Sequence, residues 1–108
     1  MKIPIFPLNG AIMFPGTNLP LNIFEERYID MVDYSLSKNR IVGMIQYKPN
    51  NEIYNVGCYG KITVFNETPD KRYFINLEGK NFFKIIQEVN TDYKFRMCEI
   101  EDLNDYNN

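Results

Sequence analysis

Ile23-Phe24-Glu25-Glu26-Arg27-Tyr28-Ile29-Asp30-Met31-Val32-Asp33-Tyr34-Ser35-Leu36-Ser37 is the stretch with a helical period. Phe24, Tyr28, Met31, Val32 and Ser35 recur on one face, with Leu36 alongside. Glu25, Glu26, Asp30 and Asp33 load acid into its first half, which suits the positive end of the helix dipole. Asn22 can cap the start, Asn39 can supply a left-handed cap, and Lys38 and Arg40 lie near the end. The spacing predicts a helix over 23–37. Everything around it reads as strand and turn, and that contrast decides the fold class.

Upstream, four of the six prolines, Pro4, Pro7, Pro15 and Pro20, fall in the first twenty residues. Each fixes its own φ and pushes its predecessor towards extended geometry. Three short extended pieces are expected: around Ile3-Leu8, from Ala11 to Phe14, and at Leu19-Leu21. Asn9-Gly10 and Pro15-Gly16 are the turns between them. Proline is tolerated at strand starts and edges, so these pieces belong at a rim. Downstream, strands are expected over Ile41–Tyr47, Ile53–Phe65, Tyr73–Glu78, Phe82–Val89 and Tyr93–Ile100. Thr68-Pro69-Asp70-Lys71 is a hairpin loop. Gly57 and Gly60 mark a bulge, a bend or a close backbone approach, and Gly79 interrupts the strand, with a bend around it. One helix among six or seven strands, with no helix–strand alternation, gives a compact, mainly β barrel of the α+β class.

Composition narrows the chemistry. The 108 residues make one domain, and the lone Ala11 is a poor basis for an all-helical protein. Eight Phe and eight Tyr with no Trp make ring packing central. With no His, neither a Ser-His nor a Cys-His pair can exist, nor an imidazole metal ligand. A net charge of −2 opposes a nucleic-acid partner. No apolar run approaches a membrane span, and Met1-Pro7 is too short and proline-broken for a signal peptide. Cys58 and Cys98 make no disulfide framework and lack metal-ligand spacing, so buried reduced thiols in a cytoplasmic protein are expected.

The order of the pieces resembles a known family. Ile3-Pro4-Ile5-Phe6-Pro7-Leu8, Phe14-Pro15-Gly16, and Leu19-Pro20-Leu21-Asn22-Ile23-Phe24-Glu25-Glu26-Arg27-Tyr28 resemble the opening of the Lon protease N-terminal, substrate-binding domain family. Val56-Gly57-Cys58-Tyr59-Gly60-Lys61-Ile62, Pro69-Asp70-Lys71-Arg72-Tyr73 and Leu77-Glu78-Gly79 extend the likeness. It implies a PUA-like pseudo-barrel of about six strands wrapped around one main helix. Pro20, Phe24, Glu25, Arg27, Tyr28, Gly57, Asp70, Arg72 and Gly79 would be the motif residues that hold it. It also implies one barrel domain over residues 1–101. Residues 102–108 would be an acidic tail, disordered or leading to a helical segment, in a truncated or stand-alone member. Two departures stand out: Lys71 replaces the family's hairpin glycine, and Phe82 stands where the family often carries arginine.

The resemblance implies a non-catalytic protein-recognition role. The ATPase phosphate-binding loop and the Ser-Lys dyad of full Lon proteases are missing, and the only serines, Ser35 and Ser37, lie on the predicted helix. No catalytic, cofactor or metal residues are expected. The partners implied are unfolded, tagged or specific substrate proteins, and an ATP-dependent protease that receives them. Phe82 and Phe83 are consecutive, so in a strand they point to opposite faces. With Tyr59 and Tyr73 they are the candidate apolar, aromatic contacts. Glu25 can bond backbone N–H groups at the helix start, Arg27 can pair with a carboxylate, and Asp70 can bond its own turn. The alternative is an RNA-binding PUA-like domain using Lys61, Lys71, Arg72, Lys80, Lys84, Lys94 and Arg96.

Overall fold

The computed structural model describes residues 1–103. Its elements are β1 (Lys2–Leu8), β2 (Asn18–Ile23), α1 (Glu26–Leu36), β3 (Ile41–Gln46), a 3-10 turn (Pro49–Asn51), β4 (Val56–Glu67), β5 (Tyr73–Val89) and β6 (Arg96–Asp102). The six strands form one sheet in the order β2-β5-β4-β3-β1-β6, and β6 also pairs with β5. β1 and β3 are parallel, and the other pairs are antiparallel. The β5–β6 pairing therefore closes β1, β3, β4, β5 and β6 into a ring, with β2 attached outside it.

β5 makes closure possible. Its first half, Tyr73 to Glu78, pairs with β2, and its second half, Phe83 to Val89, pairs with β6. β4 runs beside both halves. Tyr59 pairs with Asn81 and Gly60 with Gly79, so Lys80 is an extra residue on β5. Thr63 on β4 and Ile86 on β5 are extra in the same way. Such bulges bend a strand and increase its twist. A one-residue insertion also exchanges the faces to which alternate side chains point. Before Lys80, the odd-numbered Tyr73, Ile75 and Leu77 join one core, and after it the odd-numbered Phe83 and Ile85 join the other.

The two cores follow from this exchange. Ile3, Ile5, Ile45, Tyr59, Phe83, Cys98 and Ile100 come only from the ring strands and fill the ring. Phe83 is completely buried. Its ring occupies space left by two glycines: a Cβ at Gly57 would lie 3.0 Å from it, and one at Gly43 3.1 Å. Tyr28, Met31 and Val32 of α1 join Phe6, Met13, Ile23, Val42, Met44, Cys58 and Ile62 in the larger core outside the ring. β1 feeds both, so it reads as an almost continuous buried run.

α1 is shorter than the pattern predicts. It begins at Glu26, with Glu25 as the capping residue, while Asn22 and Ile23 belong to β2. Glu25 makes no side-chain cap bond, because its carboxylate accepts instead from Arg27 Nε at 3.0 Å. Phe24 precedes the helix and is 65% exposed, so it leaves the core stripe. Tyr28, Met31, Val32 and Ser35 are buried as expected. At the other end Arg40, not Asn39, takes the left-handed conformation (φ 66°). The Asn39 side-chain oxygen accepts from the Ile41 N–H at 3.2 Å. Ser35 Oγ donates to the Ile41 carbonyl at 3.1 Å, which satisfies the one buried polar side chain among the described residues.

Other boundaries move too. Residues 11–14 form no strand and pair with none. Gly79 does not end a strand, because β5 runs on through it. Tyr93 and Lys94 precede β6, which reaches Asp102, so the sheet includes residue 102 of the expected tail. Residues 104–108 of that tail lie outside the described residues. Lys71 takes φ 64° in the hairpin, the left-handed geometry that glycine would supply at less steric cost.

Tyr73 ties the helix to β5, its hydroxyl donating to Asp33 Oδ1 at 2.8 Å. That hydrogen bond, with burial behind it, pushes the Tyr73 phenol up to about 12. Burial first, then the neighbouring Tyr47, pushes Tyr28 up to about 12 as well. A phenol whose pKa is raised on folding contributes stability below its unfolded value, about 10. That contribution is lost as pH rises towards about 12. Urea midpoints should therefore fall over this window, and less steeply in Tyr73→Phe. Parallel pH profiles for the two proteins would show that Tyr73 is not responsible. Phe83→Ala should cost about 3–5 kcal/mol in the same assay, because it empties the ring centre.

Candidate functional site

Of the four aromatic candidates, only Phe82 reaches the surface, at 41% exposed. Phe83 fills the ring and is corrected to a core residue. Tyr59 and Tyr73 are buried as well. The Tyr59 hydroxyl donates to Asp102 Oδ2 at 2.6 Å and accepts from Asn81 Nδ2 at 3.0 Å. Burial, helped by Asp102, holds the Tyr59 phenol above its ordinary value. These hydroxyls join secondary-structure elements and are not free to meet a partner.

A surface forms around Phe82 from residues the sequence reading did not select. The segment after β1 crosses towards β5, alternating along its length: Ile12 and Phe14 are 66% and 53% exposed, while Met13 between them is buried. Gln46 pins the segment, accepting from the Gly10 N–H at 3.2 Å and donating to the Ala11 carbonyl. Thr17 Oγ1 donates to the Phe14 carbonyl at 2.7 Å. The Phe14 and Phe82 rings meet edge to face, 6.3 Å between centroids. Beside them lies an apolar groove of about 140 Å³, lined by Ile12, Met13, Met44, Val56, Gly57 and Phe82 among others. Val56 is 51% exposed at its edge. The signal available in the sequence was the extended Ala11-Phe14 run, whose alternate residues must face outward.

Two motif glycines shape this surface. Gly79 accepts from the Gly16 N–H at 2.9 Å and donates to the Thr17 carbonyl at 2.8 Å. A Cβ on Gly79 would collide with the Phe14 carbonyl oxygen. A Cβ on Gly57, in the groove wall, would collide with the Met44 carbonyl oxygen.

The remaining motif residues do local work. Pro20 sits in β2 opposite Asn76. Arg27 lies over the Tyr28 ring, 4.7 Å from its centroid, and Tyr28 packs on Phe6 at 4.3 Å. Asp70 accepts from Thr68 Oγ1 in the hairpin, which holds its carboxyl below the usual range. Arg72 pairs with Asp70 at 3.1 Å and lies 5.7 Å from the exposed Phe24 ring.

Of the seven candidate RNA-contacting cations, Arg72, Lys80, Lys94 and Arg96 pair with Asp70, Glu78, Glu26 and Glu88. Cys58 and Cys98 are free, buried and in different cores. Burial pushes each thiol up to about 11, which suppresses the reactive thiolate. Among the described residues no group of three or more His, Cys, Asp or Glu could hold a metal ion. No helix among them is long and apolar enough to cross a membrane.

The sequence matches, over residues 2–108, the family model described as the ATP-dependent protease La (LON) substrate-binding domain. The chain belongs to that family. Lon protease of Cytophaga hutchinsonii is 27% identical over 110 residues, covering 95% of this chain and 13% of the relative. Lon protease of Dictyoglomus thermophilum is 27% identical over 100 residues, covering 87% and 13%. The chain thus spans 13% of the length of these relatives. The crystal structure of a Lon N-terminal domain protein from Xanthomonas campestris superposes with a TM-score of 0.80 at 22% identity, covering 94% of this chain and 59% of that one. The N-terminal domain of Mycobacterium avium complex Lon protease gives 0.77 at 12%, covering 95% and 55%. These two structures share the fold. The Lon family matched here is a substrate-binding, non-catalytic one.

Gly79→Ala should destabilise this Lon domain by about 1–3 kcal/mol, since backbone and not a flexible side chain blocks the added methyl. It should also weaken the nuclear Overhauser contacts between the Phe14 and Phe82 rings. Unchanged stability and unchanged ring contacts together would show that the segment yields freely.

Proposed function

We propose that this domain recognises unfolded polypeptide segments through the apolar surface built by Ile12, Phe14, Val56 and Phe82. The observation that carries the reading is the Phe14–Phe82 pair, two half-exposed rings in contact beside an apolar groove. Exposed apolar surface of this kind costs solubility unless a partner covers it for part of the time. An extended segment passes through unrelated proteins once they unfold, so a shallow surface without deep pockets suits a receptor that must accept many sequences.

Capture is the domain's whole contribution in this reading, and ATP hydrolysis and peptide cleavage belong to an ATP-dependent Lon-type protease. Free, buried thiols suit a reducing, cytoplasmic setting. The interface is small, so affinity should be micromolar or weaker.

The test is a two-dimensional NMR titration of the labelled chain with a soluble, permanently unfolded polypeptide. Shifts should cluster at residues 12–14, 56–58 and 82. Phe82→Ser with Phe14→Ser should weaken binding about tenfold, the loss of one anchor contact. Full affinity in a folded double variant would remove this surface from the function.

A further inference from the structure

The most recognisable run of the sequence, Phe24 to Tyr28, takes no part in the Phe82 surface. It borders a separate cleft of about 400 Å³ between the start of α1, β1 and the approach to β6. Arg27, Lys94 and Arg96 line this cleft with Tyr28, Tyr47 and Asn51, and no carboxylate is among the lining residues. Each cation has its carboxylate outside: Glu25 at 3.0 Å, Glu26 at 2.9 Å and Glu88 at 3.5 Å. Glu25, Glu26 and Glu88 have 48%, 79% and 50% of their side chains in solvent. Exposed pairs of this kind contribute little, so an incoming anion can exchange with them.

A second hollow, of about 340 Å³, shares Pro7, Arg27, Tyr28 and Tyr47 with the first and is lined also by Leu21, Ile23, Phe24 and Glu25. A cationic chamber therefore adjoins a more apolar one, with Arg27 and its partner Glu25 at their boundary. Stacking on Tyr28 holds the Arg27 guanidinium in place. Guanidinium groups meet carboxylates with well-defined hydrogen-bond geometry, and pre-positioning lowers the entropy cost.

We infer that this cleft is a second polypeptide contact, which takes a carboxylate of the bound chain at Arg27, Lys94 and Arg96 and a neighbouring apolar side chain at Phe24. The inference rests on the reading of the domain as a polypeptide receptor. It deepens that reading by adding a preference: segments that alternate acidic and apolar residues bind better than apolar ones. The carboxylate can be that of an Asp or Glu side chain or of a chain terminus.

The labelled 108-residue chain is titrated with three short peptides. One is capped at both ends and alternates leucine with glutamate. The second has glutamine for glutamate, and the third is the second with a free terminal carboxylate. The glutamate peptide, the free-acid peptide or both should shift residues 27, 28, 47 and 94–96, and the pattern names the source of the carboxylate. The capped glutamine peptide should bind the cleft about tenfold more weakly, the loss of a charged contact. Binding at the cleft should also weaken with added salt.

Arg27→Gln with Arg96→Gln should abolish the difference between glutamate and glutamine peptides while leaving shifts at Phe82 intact. Should that variant not fold, the salt response and peptide comparison on the unaltered chain still decide. Cleft binding no stronger for the glutamate and free-acid peptides than for the capped glutamine peptide, or shifts confined to residues 12–14, 56–58 and 82, would overturn the inference and leave the polypeptide reading standing. No shifts with any peptide would overturn both.

Discussion

β5 has to serve three neighbours, and the rest of the molecule depends on how it does so. A straight strand of its 17 residues would run past the ring and pair with only two others. The extra residues at Lys80 and Ile86 let the first half lie beside β2 and the second half close against β6. Closure creates the enclosed core around Phe83. The exchange of faces at Lys80 creates the second core, because it turns Tyr73, Ile75 and Leu77 towards α1. Both cores are consequences of where one strand bends.

The bend also links stability to the surface. Just beyond Gly79, the exchange of faces sends Phe83 inward and Phe82 outward, where Phe14 meets it. Gly79 lets the Phe14 backbone lie against β5, and Gly57 gives room to the Phe83 ring on one side and the Met44 carbonyl on the other. The exposed ring pair therefore rests on close backbone contacts, with the Gln46 and Thr17 side chains holding the segment. In the proposed role, a surface held this way loses little freedom on binding.

Much of this was legible in the sequence. The 3.6 period of Tyr28, Met31, Val32 and Ser35 marked α1 and its buried face. Consecutive rings at Phe82 and Phe83 required one to face outward. The glycines flagged as points of close approach proved to be such points. The errors have common physical sources. Phe24 fits the helical period, but β2 extends through Ile23 and leaves it outside the helix. Asp33 and Asp102 satisfy the hydroxyls of Tyr73 and Tyr59, and such long-range partners leave no local trace. Ile12 and Phe14 lie in a segment with no strand partner, held by Gln46 from a distant strand. Lys71 shows that a left-handed turn position need not carry glycine when the hairpin around it is well paired.

Among the described strands, β2 alone has a single neighbour, and Pro20 sits within it. A receptor for unfolded chains works among molecules ready to add strands to any open sheet. Ring closure removes many of the backbone groups that could recruit them, and proline interrupts the row of β2. In the proposed role, capture by side chains rather than by open strand edges limits templating of the barrel into client aggregates.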